Sequence, residues 1–236
     1  MIIKGGYFCR MDHLLDNPIW NALNTEQSHF NCGDAQLKYF DPEVSPFVAM
    51  KNWDAGDLQY LDQQLPADRN FFHIIAQPIE LPASCSIRFS IPLYQMVCPA
   101  LQPFATAVSG LRDLRDTDIP AMVELTALTK PGPFMSKTSD FGHYTGIFEK
   151  EVLVAMAGER LKVPGYTEVS AICTHPDHTG KGYAALLLSL AAEKIIQKNS
   201  IPFLHVRHDN ERAIRMYEKA GFEIRREMNF VIFRKD

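Results

Sequence analysis

No stretch of this 236-residue chain approaches the ~18–20 consecutive apolar residues that would cross a bilayer. The opening MIIKGGYFCRMDHLL has no extended apolar core of the kind a secretory leader carries. Cysteine is sparse: the five (Cys9, Cys32, Cys85, Cys98, Cys173) are scattered, odd in number and form no CxxC pair. That argues against a disulfide framework or a thiolate zinc site and for a reducing compartment. An excess of positive charge is also missing. With 24 Lys+Arg against 28 Asp+Glu the net charge is −4, so the chain lacks the basic surface that nucleic acid or an anionic membrane requires. These absences lead to the expectation of a soluble, cytoplasmic protein without a thiolate metal site, whose partners are small molecules or proteins.

What is present is ordinary globular composition, 46% hydrophobic and 22% charged, enough for one large domain or two modest ones. Proline and small residues between Pro99 and Ser109 mark a boundary, which divides the chain into a lobe at 1–108 and a domain at 109–236. In the first part, the Asn17-Pro18 signal predicts a helix over 16–30. Phe47 to Met50 reads as a strand, and Asp54 caps a helix to Leu65 that Pro66 stops. Phe71 to Ala76 is a buried strand, and Pro78, Pro82 and Pro92 break the next segment into separate strands at 85–91 and 93–97.

The second part is more periodic. A short strand at Leu111 is followed by a helix from Thr117 or Asp118 through Leu128, then by the loop TKPGPFMSKTSDFG. Strands at 143–148, 152–161 and 167–174 have connections short enough to make them antiparallel neighbours. Ala184, Leu187, Leu188, Ala191 and Ile195 give a helix over 182–198 a wide buried face. Ile201 to Arg207 then runs parallel to the strand before that helix, Asp209 or Asn210 caps a last helix, and two strands come last, at 222–226 and 229–234. The charge is unevenly split: residues 168–236 hold 11 Lys+Arg against 9 Asp+Glu and the rest 13 against 19, so the glycine-loop segment is the mildly basic part, as an anionic ligand would prefer.

The chain is organised around EVSAICTHPDHTGKGYA, residues 168–184, which reads as strand, loop and helix start. Gly180 and Gly182 carry no Cβ, so backbone N–H groups there can approach a ligand, and the helix start offers orphan donors and a positive dipole end. An anion site, most simply for a pyrophosphate, is the reading. A dinucleotide fingerprint fits poorly, because HPDHT separates the first glycine from the strand. A P-loop fails as well, because Gly182 follows Lys181 where Ser or Thr belongs.

A second motif, DNERAIRMYEKAGF at 209–222, places Asn210, Ala213, Tyr217 and Gly221-Phe222 at fixed spacings behind the glycine loop. Together the two motifs resemble the GNAT superfamily of acyl-CoA-dependent N-acyltransferases over residues 109–236, most of all its glycine N-acyltransferase-like members. The first 108 residues are more loosely similar to two-lobed members whose first lobe is a degenerate half of the same fold. The resemblance implies an α/β protein of α+β type with a mixed, mostly antiparallel twisted sheet flanked by helices. It implies acetyl-CoA as cosubstrate and direct transfer of an acetyl group to a small-molecule or peptide amine in a ternary complex.

Carried onto this sequence, the family's pyrophosphate loop falls on Thr179, Gly180, Lys181, Gly182, Tyr183 and Ala184, with Thr179 where Arg or Gln is usual. The resemblance assigns Ile172, Cys173 and Thr174 to the pantetheine arm and thioester, and Asn210 and Tyr217 to the thiol end. Tyr217 matches a general acid for the departing thiolate, although its helical register with Ala213, Ile214 and Ala220 equally fits a core aromatic. Glu168 stands where the histone-modifying branch has its general base; an alkylammonium of pKa near ~10 must lose a proton before it attacks. An exposed strand-end carboxylate is the other reading. His143 and His175 are weaker bases, the pairs His175/His178 and His205/His208 share no face that would build a metal site, and Cys173 in an apolar strand reads as a buried thiol. A non-catalytic CoA-binding or regulatory module is the alternative function, kept open by Thr179.

Overall fold

The computed structural model describes residues 13–67, 69–76, 80–105 and 107–236; Cys9 and Pro78 lie outside the described residues. Helix α1 (Pro18–Asn24) begins as the Asn17-Pro18 signal predicts, with the Asn17 side chain accepting from the Trp20 N–H. It is shorter than expected: two one-turn 3-10 segments, Leu14–Asp16 and Ser28–Phe30, flank it. Strands β1 (Leu37–Tyr39) and β2 (Val48–Met50) form a small antiparallel pair. Helix α2 (Ala55–Gln64) is capped by Asp54, and β3 (Phe71–Ile75) comes next.

Strand β4 (Cys85–Val97) corrects the sequence reading, because it runs straight through Pro92. Its pairing with the next strand begins only at Leu93, so the N–H that proline lacks is not missed on that side. Beyond the boundary come β5 (Leu111–Asp113), α3 (Ile119–Thr129), β6 (Tyr144–Glu149), β7 (Val152–Val163), β8 (Tyr166–Thr174), α4 (Tyr183–Gln197), β9 (Ile201–Arg207), α5 (Glu211–Lys219) and β10 (Glu223–Lys235). The two expected terminal strands are one, β10. The segment between them keeps its pairing to β4, and buried Met228 anchors it.

Eight strands form one sheet in the order β3-β10-β4-β9-β8-β7-β6-β5, antiparallel throughout except for the β8–β9 pair. Strand β4 of the first half thus lies between β9 and β10 of the second. Strand alternation divides the core into two layers. On one face Leu187, Leu188, Ala191 and Ile195 of α4 cover Val154, Val169, Leu204 and Met96, with α5 beside them. On the other, α3 buries Met122 and Leu125 against Met156, Ala171 and Cys173, and α1 buries Ile19 and Leu23 against Leu93 and Phe203. Each fully buried leucine contributes on the order of 2 kcal/mol, so the α4 seam is a main anchor of the second half. Among the described residues no helix is long and apolar enough to cross a membrane.

Candidate active site

The site begins where two parallel strands part. Strands β8 and β9 pair only at Tyr166–Ile201, Thr167–Pro202 and Glu168–Phe203, and then diverge. From Val169 onward the edge of β8 that faces β9 has no strand partner among the described residues, while the other edge stays paired with β7 as far as Thr174. A row of backbone donors and acceptors is therefore left for a ligand. Ala171, at φ 52 where a side chain is rarely found, sits at a register shift in the β7–β8 ladder and turns the backbone within this opening.

Three clefts, each sharing walls with the next, begin at the gap and run away from it. The first, about 480 Å³, runs from Thr179, Gly180, Gly182 and Tyr183 along Ile172–Thr174 to Asn210 and Tyr217. The second, about 560 Å³, shares Ile172–Thr174, Thr179, Asn210 and Tyr217 with it and continues to Lys130, Arg160, His205 and Arg207. The third, about 230 Å³, shares Lys130, Arg160, His205 and Arg207 with the second and ends among Ile74, Ile91 and Phe230. Among the described residues no carboxylate lines any of the three.

The glycine loop takes the conformation its sequence requires. Gly180 and Gly182 stand at φ 82 and 80, in the left-handed region that glycine enters without cost, and Gly182 is the N-cap of α4. A Cβ built on Gly180 would meet nothing within 4 Å, so open space adjoins the backbone there. An anion fits this cradle, between open backbone and the start of a 15-residue helix. Lys181 is placed differently from the other loop residues. Its Nζ lies 2.7 Å from Glu149 Oε1, which also accepts a 2.6 Å hydrogen bond from the Tyr183 hydroxyl, and Lys181 is absent from the wall of the cleft. Those hydrogen bonds, led by Lys181, hold the Glu149 carboxyl down at about 2. The Thr179 hydroxyl turns back to the Pro176 carbonyl at 3.1 Å. Arg212, which the sequence reading did not single out, supplies a cation to the walls of the first two clefts.

At the far end of the first cleft, the Asn210 side chain accepts from the Ala213 N–H and so caps α5 while lining the cavity. Tyr217 is both a core aromatic, 8% exposed, and a cleft residue; burial raises its phenol to about 12. Burial likewise raises the Cys173 thiol to about 11, as expected of a thiol in an apolar strand.

Glu168 is not an exposed strand end, since its side chain is 0% exposed and lines none of the clefts. Arg160 grips it through Nε (2.8 Å) and Nη2 (2.6 Å), and His205 Nδ1 lies 2.7 Å from Oε1. Burial pushes its pKa up, but the Arg160 guanidinium, with His205 next in strength, outweighs that and holds the carboxyl at about 2. The chain of contacts continues, with Gln95 Nε2 3.0 Å from His205 Nε2 and Gln95 Oε1 accepting from Arg225, which pairs with Asp16. Arg160 and His205 escape a reading of the sequence because their meeting with Glu168 depends on register across three strands, and no local spacing encodes it. His143 lies away from the clefts beside Asp113 and Lys194, and His178 Nδ1 faces Glu149 at 3.1 Å.

Comparison with known proteins agrees with this architecture. The FR47-like protein family matches residues 144–231. A GNAT-family protein from Novosphingobium aromaticivorans DSM 12444 is 33% identical, with a TM-score of 0.88 over 95% of this chain and 100% of that one. A GCN5-related N-acetyltransferase from Kribbella flavida, 16% identical, shares the fold at a TM-score of 0.56 over 87% of this chain and 88% of its own. A GNAT-family acetyltransferase from Colwellia psychrerythraea, 13% identical, does so at 0.52 over 84% and 80%. No curated protein matches the chain. By identity and coverage to the Novosphingobium protein, and by the parted strands and glycine loop described above, the chain belongs to the GNAT family.

Proposed function

We propose that this protein is an acyl-CoA-dependent N-acyltransferase, moving an acetyl group from acetyl-CoA to an amine by direct attack in a ternary complex. The observation that carries this reading is the unpaired β9-facing edge of β8, which leads from the Gly180–Gly182 cradle to Tyr217. A bound acyl-CoA supplies an activated acyl group; everything else is done by residues of this chain. The backbone from Thr179 to Ala184 and the start of α4 hold the pyrophosphate, with Arg212 adding the charge that Lys181 spends on Glu149. Backbone groups of Ile172–Thr174 pair with the pantetheine arm, and an N–H there polarises the carbonyl.

Tyr217 donates a hydrogen bond to the departing sulfur. With its phenol at about 12 and a thiol near ~8.5, full proton transfer runs uphill, so its contribution is that of a hydrogen-bond donor. Glu168, held at about 2, is too weak a base to deprotonate an amine directly, and any part it takes in that step runs through His205. Residues 109–236 are the catalytic domain in this reading, of glycine N-acyltransferase-like build, and 1–108 a degenerate lobe whose strand β4 completes the sheet.

Calorimetric titration with acetyl-CoA tests the cofactor assignment; absence of heat at millimolar ligand overturns it. A thiol-release assay over an amine panel tests the transfer. Thr179 and Lys181 both turn their polar ends to other protein groups, which favours one other reading, a CoA-binding module without chemistry. Binding with no thiol release from any amine would identify that module.

A further inference from the structure

We infer that the acceptor is an amino acid with a large apolar side chain, bound with its amine toward Tyr217, its carboxylate on Lys130 and Arg160, and its side chain in the third cleft. The inference rests on the acyltransferase reading and names the substrate class of that site.

The three clefts form one path, because each shares walls with the next. If acyl-CoA fills the first, the acceptor enters from the other end, across the third and second. The third cleft ends on Ile74 and Ile91 from the first half and Phe230 from β10, an apolar terminus that a charged or polyamine chain would leave unsatisfied. Between that terminus and the reacting end stand Lys130, Arg160, Arg207 and His205, with no carboxylate among the described residues on the walls of either cleft. For a chain of net charge −4 this is a local reversal of sign.

The cations are not equally available. Arg207 is forked onto Asp209 at 2.9 and 2.6 Å. Arg160 commits Nε and Nη2 to Glu168, but its Nη1 faces the loop, 3.8 Å from where a Cβ on Gly132 would stand. Lys130, the left-handed C-cap of α3, makes no ion pair among the described residues. A cation without a carboxylate partner, beside an apolar terminus, matches an anion and an apolar group on one small molecule. A polyamine or a lysine side chain would be repelled here.

The test uses the whole protein, by calorimetry and thiol release, with L-phenylalanine, phenethylamine (the same molecule without the carboxylate) and glycine (without the side chain). L-Phenylalanine is expected to exceed both others by at least tenfold in kcat/KM. Lys130→Met should raise its KM about tenfold with acetyl-CoA affinity unchanged, whereas the KM for phenethylamine, which has no carboxylate to lose, should not rise; an unchanged KM for L-phenylalanine would overturn the Lys130 contact. Phenethylamine turned over as well as phenylalanine would overturn the carboxylate site, and glycine doing so would overturn the apolar one; acyl transfer itself stands in both cases. Phenylalanine that binds preferentially but is never acylated would overturn its role as acceptor, and only the absence of thiol release from every amine would sink the transfer reading. Acetyl-CoA binding without any binding or acylation of phenylalanine would overturn the inference.

Discussion

Glu168 and Arg160 form a buried pair whose value to the fold depends on pH. The Glu168 carboxyl is held at about 2 against an ordinary 4.5, so its ionised form stabilises the folded protein above pH 4.5, and that stabilisation is lost as pH falls from there toward 2. Glu168→Gln leaves the guanidinium of Arg160 buried without its counter-charge, which costs about 3–5 kcal/mol at neutral pH. Thermal melts from pH 7 down to pH 2.5 should show a lower Tm for the variant at neutral pH and a flatter acid limb; a variant that melts like wild type would mean that the pair is energetically idle. At Tyr217 the expected change is kinetic. Tyr217→Phe should lower kcat about tenfold with acetyl-CoA affinity unchanged by calorimetry, and unchanged turnover would reduce Tyr217 to a core aromatic. The motif points to Tyr217 because spacing along one helix records it. The burial of Glu168 cannot be read that way, since its partners Arg160 and His205 lie on neighbouring strands.

At the scale of elements, the turn into α4 joins backbone geometry to ligand binding. Gly182→Val places a branched residue at φ 80, costing about 1–2 kcal/mol in stability, and puts its side chain beside the cradle. Gly180→Ala carries a similar backbone cost at φ 82 and puts a methyl into the open space beside the cradle. Both variants should melt a few degrees early, and Gly182→Val should abolish the acetyl-CoA heat while the smaller Gly180→Ala weakens it. Equal, wild-type affinity in both would remove the loop from the cofactor site. The helices and strands from β6 to α5 are legible in the sequence because their apolar periods and caps are local: Asn210 caps α5, and the leucines of α4 share one face. Strands β4 and β10 instead read as broken. Pro92 is tolerated where β9 does not yet pair, and the continuity of β10 comes from its two partners and not from its own pattern.

For the molecule as a whole, the sequence boundary near residue 108 and the hydrogen-bonded sheet do not coincide, since β4 is flanked by β9 and β10. Residues 109–236 expressed alone would leave both edges of β10 and one edge of β9 unpaired and expose the apolar surface that Leu93 and Met96 cover, and are expected to be insoluble. Coexpression with residues 1–108 as a separate chain should recover soluble, acetyl-CoA-binding protein. A soluble, monomeric 109–236 fragment by size-exclusion chromatography would contradict this. The threading of β4 also dictates an order of events in folding. Strand β10 pairs on both sides with strands made far earlier, and Ser86 meets Asp236 across 150 positions. Until β10 exists, β3 and β4 have no common neighbour, and the floor of the third cleft, shared by Ile74, Ile91 and Phe230, is missing one of its sides. Contacts of such separation fold slowly. Assembly of the site is therefore expected to be a late event in folding.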